Sequence, residues 1–313
     1  EFRRVLFRSG VAFDRQGTLW ATNSLARNAL VSRQSDGTWN AFDTYSMVGN
    51  SEVDHVLCDS VRGYVWFYGR ANAIYVHDGG SRMAYVDPNN GSKKNTTSVN
   101  CVVQDRSGDM WIGTNGGIKV IYDAYKTFSN GGHGEKSPVN CSNIIIDNGV
   151  FVEYLMAYEN ITCIAVDGAN RKWVGTANGG LYLISSNGQE ELVHFTKQNS
   201  PLLSNKIIAL AIHPGSGEVF IGTDCGLISY RSTATYATAT PDDDIHAFPN
   251  PVEPGYDGPV AIKGFTRDAL VHITDAAGHV VFSTRALGGQ AIWDGRTNSG
   301  RRVASGVYYV FAS

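Results

Sequence analysis

Five segments of this chain repeat one another: FDRQGTLWAT around Trp20, CDSVRGYVWFYG around Trp66, VQDRSGDMWIGTNGGI around Trp111, VDGANRKWVGTANGGL around Trp173 and IHPGSGEVFIGTDCGL around Phe220. The anchors lie 46, 45, 62 and 47 residues apart. A period of about 40 to 50 residues marks a stacked array, whose units are too small to bury their own apolar faces and must be covered by their neighbours. One interval is longer than the others by about 16 residues, a surplus that falls near Ser129–Tyr158.

Each unit carries a strand, a turn with Asp or Gly, a second strand holding the aromatic anchor, a glycine turn and a third strand such as GLYLI at 180–184. A fourth strand follows in places, as in HFT at 194–196. Four antiparallel strands in such a period make one blade of a β-propeller. The anchors Trp20, Trp66, Trp111, Trp173 and Phe220 are therefore expected to be equivalent, mostly buried residues that fill the space between blades. Thr114, Thr176 and Thr223 follow their anchors by three residues, each preceded by glycine, which predicts a close backbone approach where the strand ends. Asp14, Asp59, Asp105 and Asp167 recur at one position and are expected to cap the first turn through backbone hydrogen bonds rather than to line a channel. Cys101 and Cys163 share another position and are expected on inner strands in the core.

The pattern ends near residue 231. Residues 232–245, STATYATATPDDDI, carry no anchor and read as a linker with Asp242, Asp243 and Asp244 in solvent. From His246 the chain holds short apolar runs, ALVHITD, HVVFST, QAIWDG and SGVYYVFA, separated by AAG, LGG and NSG turns. Residues 246–313 are thus expected to form a small immunoglobulin-like β-sandwich, with Trp293 as its structural anchor and Asp294–Gly295 as the following turn. The predicted fold class is all-β: a partial β-propeller of five recognisable blades over 10–231, then the sandwich. Five blades arranged radially without a closed ring would leave unpaired edges, so this piece is expected to be prone to aggregation.

Several function classes are excluded by composition. The net charge is -3 and only 18% of residues are charged, which is not a nucleic-acid binder, and no run of eighteen apolar residues offers a transmembrane helix. Residues 1–9 resemble nothing that follows and are read as a non-native scar, with any export signal lost upstream. Five cysteines at spacings of 43, 40, 22 and 62 form neither a CxxC metal site nor a disulfide framework. No GxSxG elbow, Walker loop, HExxH or dinucleotide fingerprint occurs, and the GG pairs at 116–117 and 179–180 are explained by the repeat. Asp105–Asp109 resembles a calcium loop but lacks the other ligands, and the eight histidines, His272 and His279 included, are dispersed. The expectation is a protein without catalytic residues, metal or cofactor.

The units around Trp111 and Trp173 resemble the two-component regulator propeller repeat. The C-terminal stretch, from FPNPV through VHITDAAGHVV and WDGR to VASGVYYV, resembles the FlgD-type immunoglobulin-like sorting domain of type IX secretion. In this order the two resemble the PorZ family of surface components in Bacteroidota over residues 10–313. That resemblance implies two seven-bladed propellers and a sandwich; seven blades alone would need about 322 residues, so a fragment is expected. It also implies a cell-surface, outer-membrane location and delivery of anionic lipopolysaccharide to a sortase-like partner of the attachment complex. Two alternatives are a periplasmic glycan-sensing propeller of a hybrid two-component receptor and an exported propeller enzyme of the polysaccharide lyase type carrying a sorting tag. For the anion, residues 263–313 hold six basic and three acidic side chains, and Arg296, Arg301 and Arg302 cluster around the Asn298–Gly300 turn. Arginine forks suit phosphate and carboxylate, so these three are the expected ligand contacts.

Overall fold

The computed structural model describes residues 10–69, 74–90, 97–128, 139–147, 152–238, 240 and 245–313. Residues 1–9 and Asp242–Asp244, about which the sequence raised expectations, lie outside the described residues. The chain is almost entirely β.

Antiparallel sheets follow one another in chain order, each anchor in the first half of a second strand. The first is Val11–Phe13, Leu19–Thr22, Leu30–Arg33 and Trp39–Phe42; the second His55–Cys58, Val65–Tyr68, Ile74–His77 and Met83–Asp87. The third comprises Val99–Gln104, Met110–Thr114 and Gly117–Ile121, the fourth Ile161–Val166, Lys172–Thr176, Leu181–Ile184 and Glu191–Phe195. The fifth has three strands, Ile207–Ile212, Glu218–Thr223 and Gly226–Arg231. Within their sheets, Trp111 lies between Val103 and Val120, Trp173 between Ala165 and Leu183, and Phe220 between Ala211 and Ser229.

The surplus residues join two sheets. Val139–Asn140 adds to the second sheet in parallel with Met83–Asp87, and Ser142–Asn143 supplies the outer strand of the third. Between them Cys141 is buried, its backbone bonded both ways to the side chain of Asn90. A hairpin, Ile145–Asp147 with Val152–Tyr154, follows.

Core packing explains why the anchors matter. Trp20 packs in the layer between sheets one and two, Trp66 between two and three, Trp111 between three and four, and Trp173 between four and five. Trp66, Trp111 and Trp173 are at most 2% exposed. Phe220 differs from the sequence expectation. It is 36% exposed, beside exposed Ile208 and Leu227, because no sixth sheet covers that face among the described residues. Gly113 and Gly175 set the spacing between sheets. A Cβ on Gly113 would lie 2.5 Å from Cys101 Sγ and 2.7 Å from Ile161 Cγ2; on Gly175 it would meet Ile207 Cγ2 at 2.6 Å and Cys163 Sγ at 2.7 Å. The first strand of the next sheet approaches through that missing atom. The threonine after each glycine closes the hairpin: Thr114 and Thr176 donate to the Gly117 and Gly180 carbonyls and accept from the Gly116 and Gly179 amides.

The turn aspartates cap as their spacing predicts. Asp14 Oδ1 accepts from the Gln16 and Thr18 amides, Asp59 from Val61 and Arg62, Asp105 from Ser107 and Asp109, and Asp167 from Ala169 and Arg171. In the fifth sheet His213 Nδ1 accepts from the Ser216 amide instead. Two caps also reach their anchor, Trp20 Nε1 donating to Asp14 Oδ2 at 2.9 Å and Trp111 Nε1 to Asp105 Oδ2 at 3.1 Å.

Residues 246–313 form two three-stranded sheets on one core. His246–Phe248, Val260–Lys263 and Gln290–Trp293 make one; Val280–Arg285, Leu270–Thr274 and Tyr309–Ala312 make the other. Trp293 is buried in that core against Tyr308, its Nε1 donating to the Arg296 carbonyl.

The segment that joins the two parts is not a loose linker. Ser232, Ala234 and Thr235 are buried, and Thr235 runs between Gly168, Gly217 and Gly288, where an added Cβ would come within 2.1 Å of the Ala234 or Thr235 carbonyl oxygen. The Thr235 amide donates to Leu287 O, Gly289 N to Thr235 O, and Tyr236 N to Pro214 O. Arg171 adds bonds to Thr233 Oγ1 and Ser232 Oγ. Small side chains in this stretch serve close packing on three sides.

Two outcomes are expected. Trp66→Ala and Trp173→Ala should each cost about 3–5 kcal/mol, and Phe220→Ala about 1–2 kcal/mol, in urea unfolding; equal losses would show that the Phe220 face is covered. The Asp14 carboxyl lies below its ordinary 3.8: burial pushes it up, but the bonds from Trp20, Thr18 and Gln16 outweigh this. Its contribution is therefore complete above pH 3.8 and lost as pH falls through the lower native value, so Asp14→Asn should flatten the acid limb of a stability profile below about pH 4.

Candidate anion-binding site

The three arginines singled out by the sequence meet at one turn, where Arg296 and Arg302 form an isolated antiparallel bridge. Two of the three are already engaged. Arg302 Nη1 donates to Asp257 Oδ1 at 2.8 Å and Nη2 to Tyr256 O at 2.9 Å, while Arg296 Nη1 donates to Gly300 O at 3.0 Å with Asp294 at 3.9 Å. Arg301 is exposed. The entry segment that carries Asp257 therefore folds back to neutralise part of the patch.

A second cationic place was missed by sequence reasoning. The residues just after the capping aspartates, Arg15, Ser60 and Arg106, converge from sheets one, two and three around a pocket of about 370 Å³. Gln104, Asp105 and Tyr236 complete it, and Arg267 joins from the C-terminal part. Arg106 is held by two contacts: its Nε donates to Asp167 O at 2.6 Å, and its guanidinium lies 3.8 Å from the Tyr236 ring centroid. Gln104 Oε1 accepts from both the amide and hydroxyl of Ser60 at 2.7 Å, whereas Gln104 Nε2 is buried without a partner. The signal was present in D-R at 14–15 and 105–106, but only the arc of sheets brings the two arginines together.

Asp105 in this wall is not free to repel an anion. Lys172, fully buried one residue before Trp173, reaches from the fourth sheet into the third to donate to Asp105 Oδ2 at 2.9 Å and Ser186 O at 2.6 Å. Its ammonium lies 4.2 Å from the Trp111 ring centroid. Burial lowers the Lys172 pKa from its ordinary value, and the Asp105 carboxylate opposes that. The equivalent residues in the other sheets are Leu19, Val65, Met110 and Val219, so the lysine is an isolated departure from an apolar position.

Other chemistry is sparse. Burial pushes the Cys101 thiol up to about 12 and the Cys163 thiol up to about 11, values that disfavour thiolate reactivity. Among the described residues no three His, Cys, Asp or Glu side chains are grouped to hold a metal, and no helix is long and apolar enough to cross a membrane. A pocket of about 290 Å³ also opens beside the extra hairpin, lined in part by Tyr154, Tyr158, Glu159 and Tyr182.

Residues 93–116 match the two component regulator propeller family. No curated protein sequence matches the chain. Among solved structures, the chain is similar to PorZ, an essential bacterial surface component of the type-IX secretion system of Porphyromonas gingivalis. Identity is 28% and the TM-score 0.64, over 97% of this chain and 42% of that one. It also resembles the extracellular domains of two hybrid two component systems of B. thetaiotaomicron, BT4673 and BT3049. Each is 16% identical; TM-scores are 0.52 and 0.51, over 91% and 93% of this chain and 36% and 39% of theirs. These two show the propeller-type fold alone. The chain spans less than half the length of all three.

The ion pair across sheets three and four yields a test. Lys172→Met is expected to cost about 3 kcal/mol because it leaves a buried carboxylate without its cation. Measured with Asp105→Ala and the double variant, the cycle should show a coupling of about 1–3 kcal/mol. Additive losses would mean that the pair contributes nothing beyond its separate side chains.

Proposed function

We propose that this chain is a non-catalytic surface component of a type IX secretion attachment complex, presenting or delivering anionic lipopolysaccharide to a sortase-like partner. The observation that carries this reading is the similarity to the P. gingivalis surface component along 97% of the chain. Under this reading residues 10–231 are propeller blades and 246–313 an immunoglobulin-like module of the sorting-domain type, on a protein exported to the outer membrane.

Arg301, with Arg296 and Arg302 beside it, is the proposed contact with the anionic glycan. An exposed guanidinium flanked by two locally anchored ones offers a fixed cationic rim. A glycan-sensing role is the second reading, favoured by the shared fold of the two extracellular sensor domains.

Two measurements test the proposal. Replacing the matching stretch of P. gingivalis PorZ with residues 10–313 of this chain should preserve display of type IX cargo at the cell surface; a correctly exported chimera that displays none would overturn the secretion role. Titration of purified anionic lipopolysaccharide should give binding that weakens with salt, and changing Arg296, Arg301 and Arg302 together to Ala should reduce both affinity and salt dependence. Unchanged binding would remove the turn from the function.

A further inference from the structure

The pocket walled by Arg15, Arg106 and Arg267 is separate from the turn at 296–302, and we propose that it binds the phosphate group of a phosphate monoester. This inference rests on the pocket alone and stands whether or not the chain serves secretion.

Three arginines from distant places in the chain line one cavity of about 370 Å³. That volume falls in the range of about 300–1,000 Å³ typical of small-ligand sites. The single acidic side chain in the wall, Asp105, is already paired with Lys172 and accepts hydrogen bonds from Ser107, Asp109 and Trp111. Arg267 has an exposed acidic neighbour, Asp268 at 3.7 Å, outside the lining, so within the wall itself positive charge stays in excess. A phosphate monoester carries about -1.5 to -2 at neutral pH with three acceptor oxygens, a better match to three guanidinium groups than the single charge of a carboxylate.

Arg106 is preorganised for this role. Its position is set by Asp167 O and by stacking on Tyr236, so little rotamer freedom remains to be lost when an anion arrives. Arg15 and Arg267 are exposed and line the site, one after the first strand of the first sheet and one from the C-terminal part. Ser60 and Gln104 line the same wall and are bonded to each other through the Ser60 amide and hydroxyl.

The test is isothermal titration of the whole chain with inorganic phosphate, glucose 6-phosphate, glucuronate and glucose at several salt concentrations. Phosphate and glucose 6-phosphate should bind, glucuronate should bind more weakly and glucose not at all, with affinity falling as salt rises. Equal affinity for the two phosphates supports a site that reads the phosphate alone; tighter glucose 6-phosphate supports a sugar phosphate. Arg15→Gln combined with Arg267→Gln should weaken phosphate binding by about tenfold or more, while thermal unfolding stays at the parent temperature because both side chains are exposed. The Arg296, Arg301 and Arg302 triple Ala variant should bind phosphate as the parent does. Absence of phosphate binding at millimolar concentrations, or binding undiminished in the Arg15 and Arg267 double variant, would overturn the proposal.

Discussion

The sheets in the first part of this chain bury their apolar side chains against one another, and the second, third and fourth are covered by a neighbour on each side. The tryptophans express this arrangement. Each is the second residue of a second strand and fills the gap toward the next sheet, so burial of one unit's anchor depends on the following unit. Gly113 and Gly175 meet the same demand from the backbone, since a side chain there would hold adjacent first strands apart. Phe220 shows the rule by its exception, because the face it presents has no successor among the described residues.

Polar groups at the rim of this array have divided roles. One oxygen of each capping aspartate folds its own turn, and the second is available for longer-range use. In the first sheet it holds the anchor indole, in the third it also meets Lys172 from the next sheet, and in the fourth Arg171 takes it. Where Arg171 intervenes, Trp173 Nε1 is left buried without a partner. Packing of the indole outweighs that lost bond, whose cost is about 1–3 kcal/mol against a larger gain from burying the ring.

Much of this was legible in the residues, because a repeat states the same requirement several times. Asp, Trp, Gly and Thr at fixed offsets gave the turn, the packing position, the close approach and the hairpin. What stayed hidden is whatever occurs once. Lys172 occupies a position that is apolar in the other four sheets, and nothing in its neighbours along the chain names Asp105 as its partner 67 residues away. Neutralisation of Arg302 by Asp257, and convergence of Arg15 with Arg106 and Arg267, likewise depend on folding that sequence spacing does not encode. The surplus before the fourth unit looked like an insertion, yet Val139–Asn143 supplies strands to two different sheets.

The clamped segment at Ser232–Tyr236 has a consequence for how the protein can be processed. A protease binds its substrate as extended chain with free amide and carbonyl groups, and requires that chain to be lifted from its surroundings. Here the backbone is bonded to Gly217, Pro214, Leu287 and Gly289 and pressed against glycines from both parts. Cutting within Ser232–Tyr236 would first require its contacts with the fourth and fifth sheets and the C-terminal sheets to open together. The joint thus shields itself from cleavage, although its composition is that of an easily nicked loop.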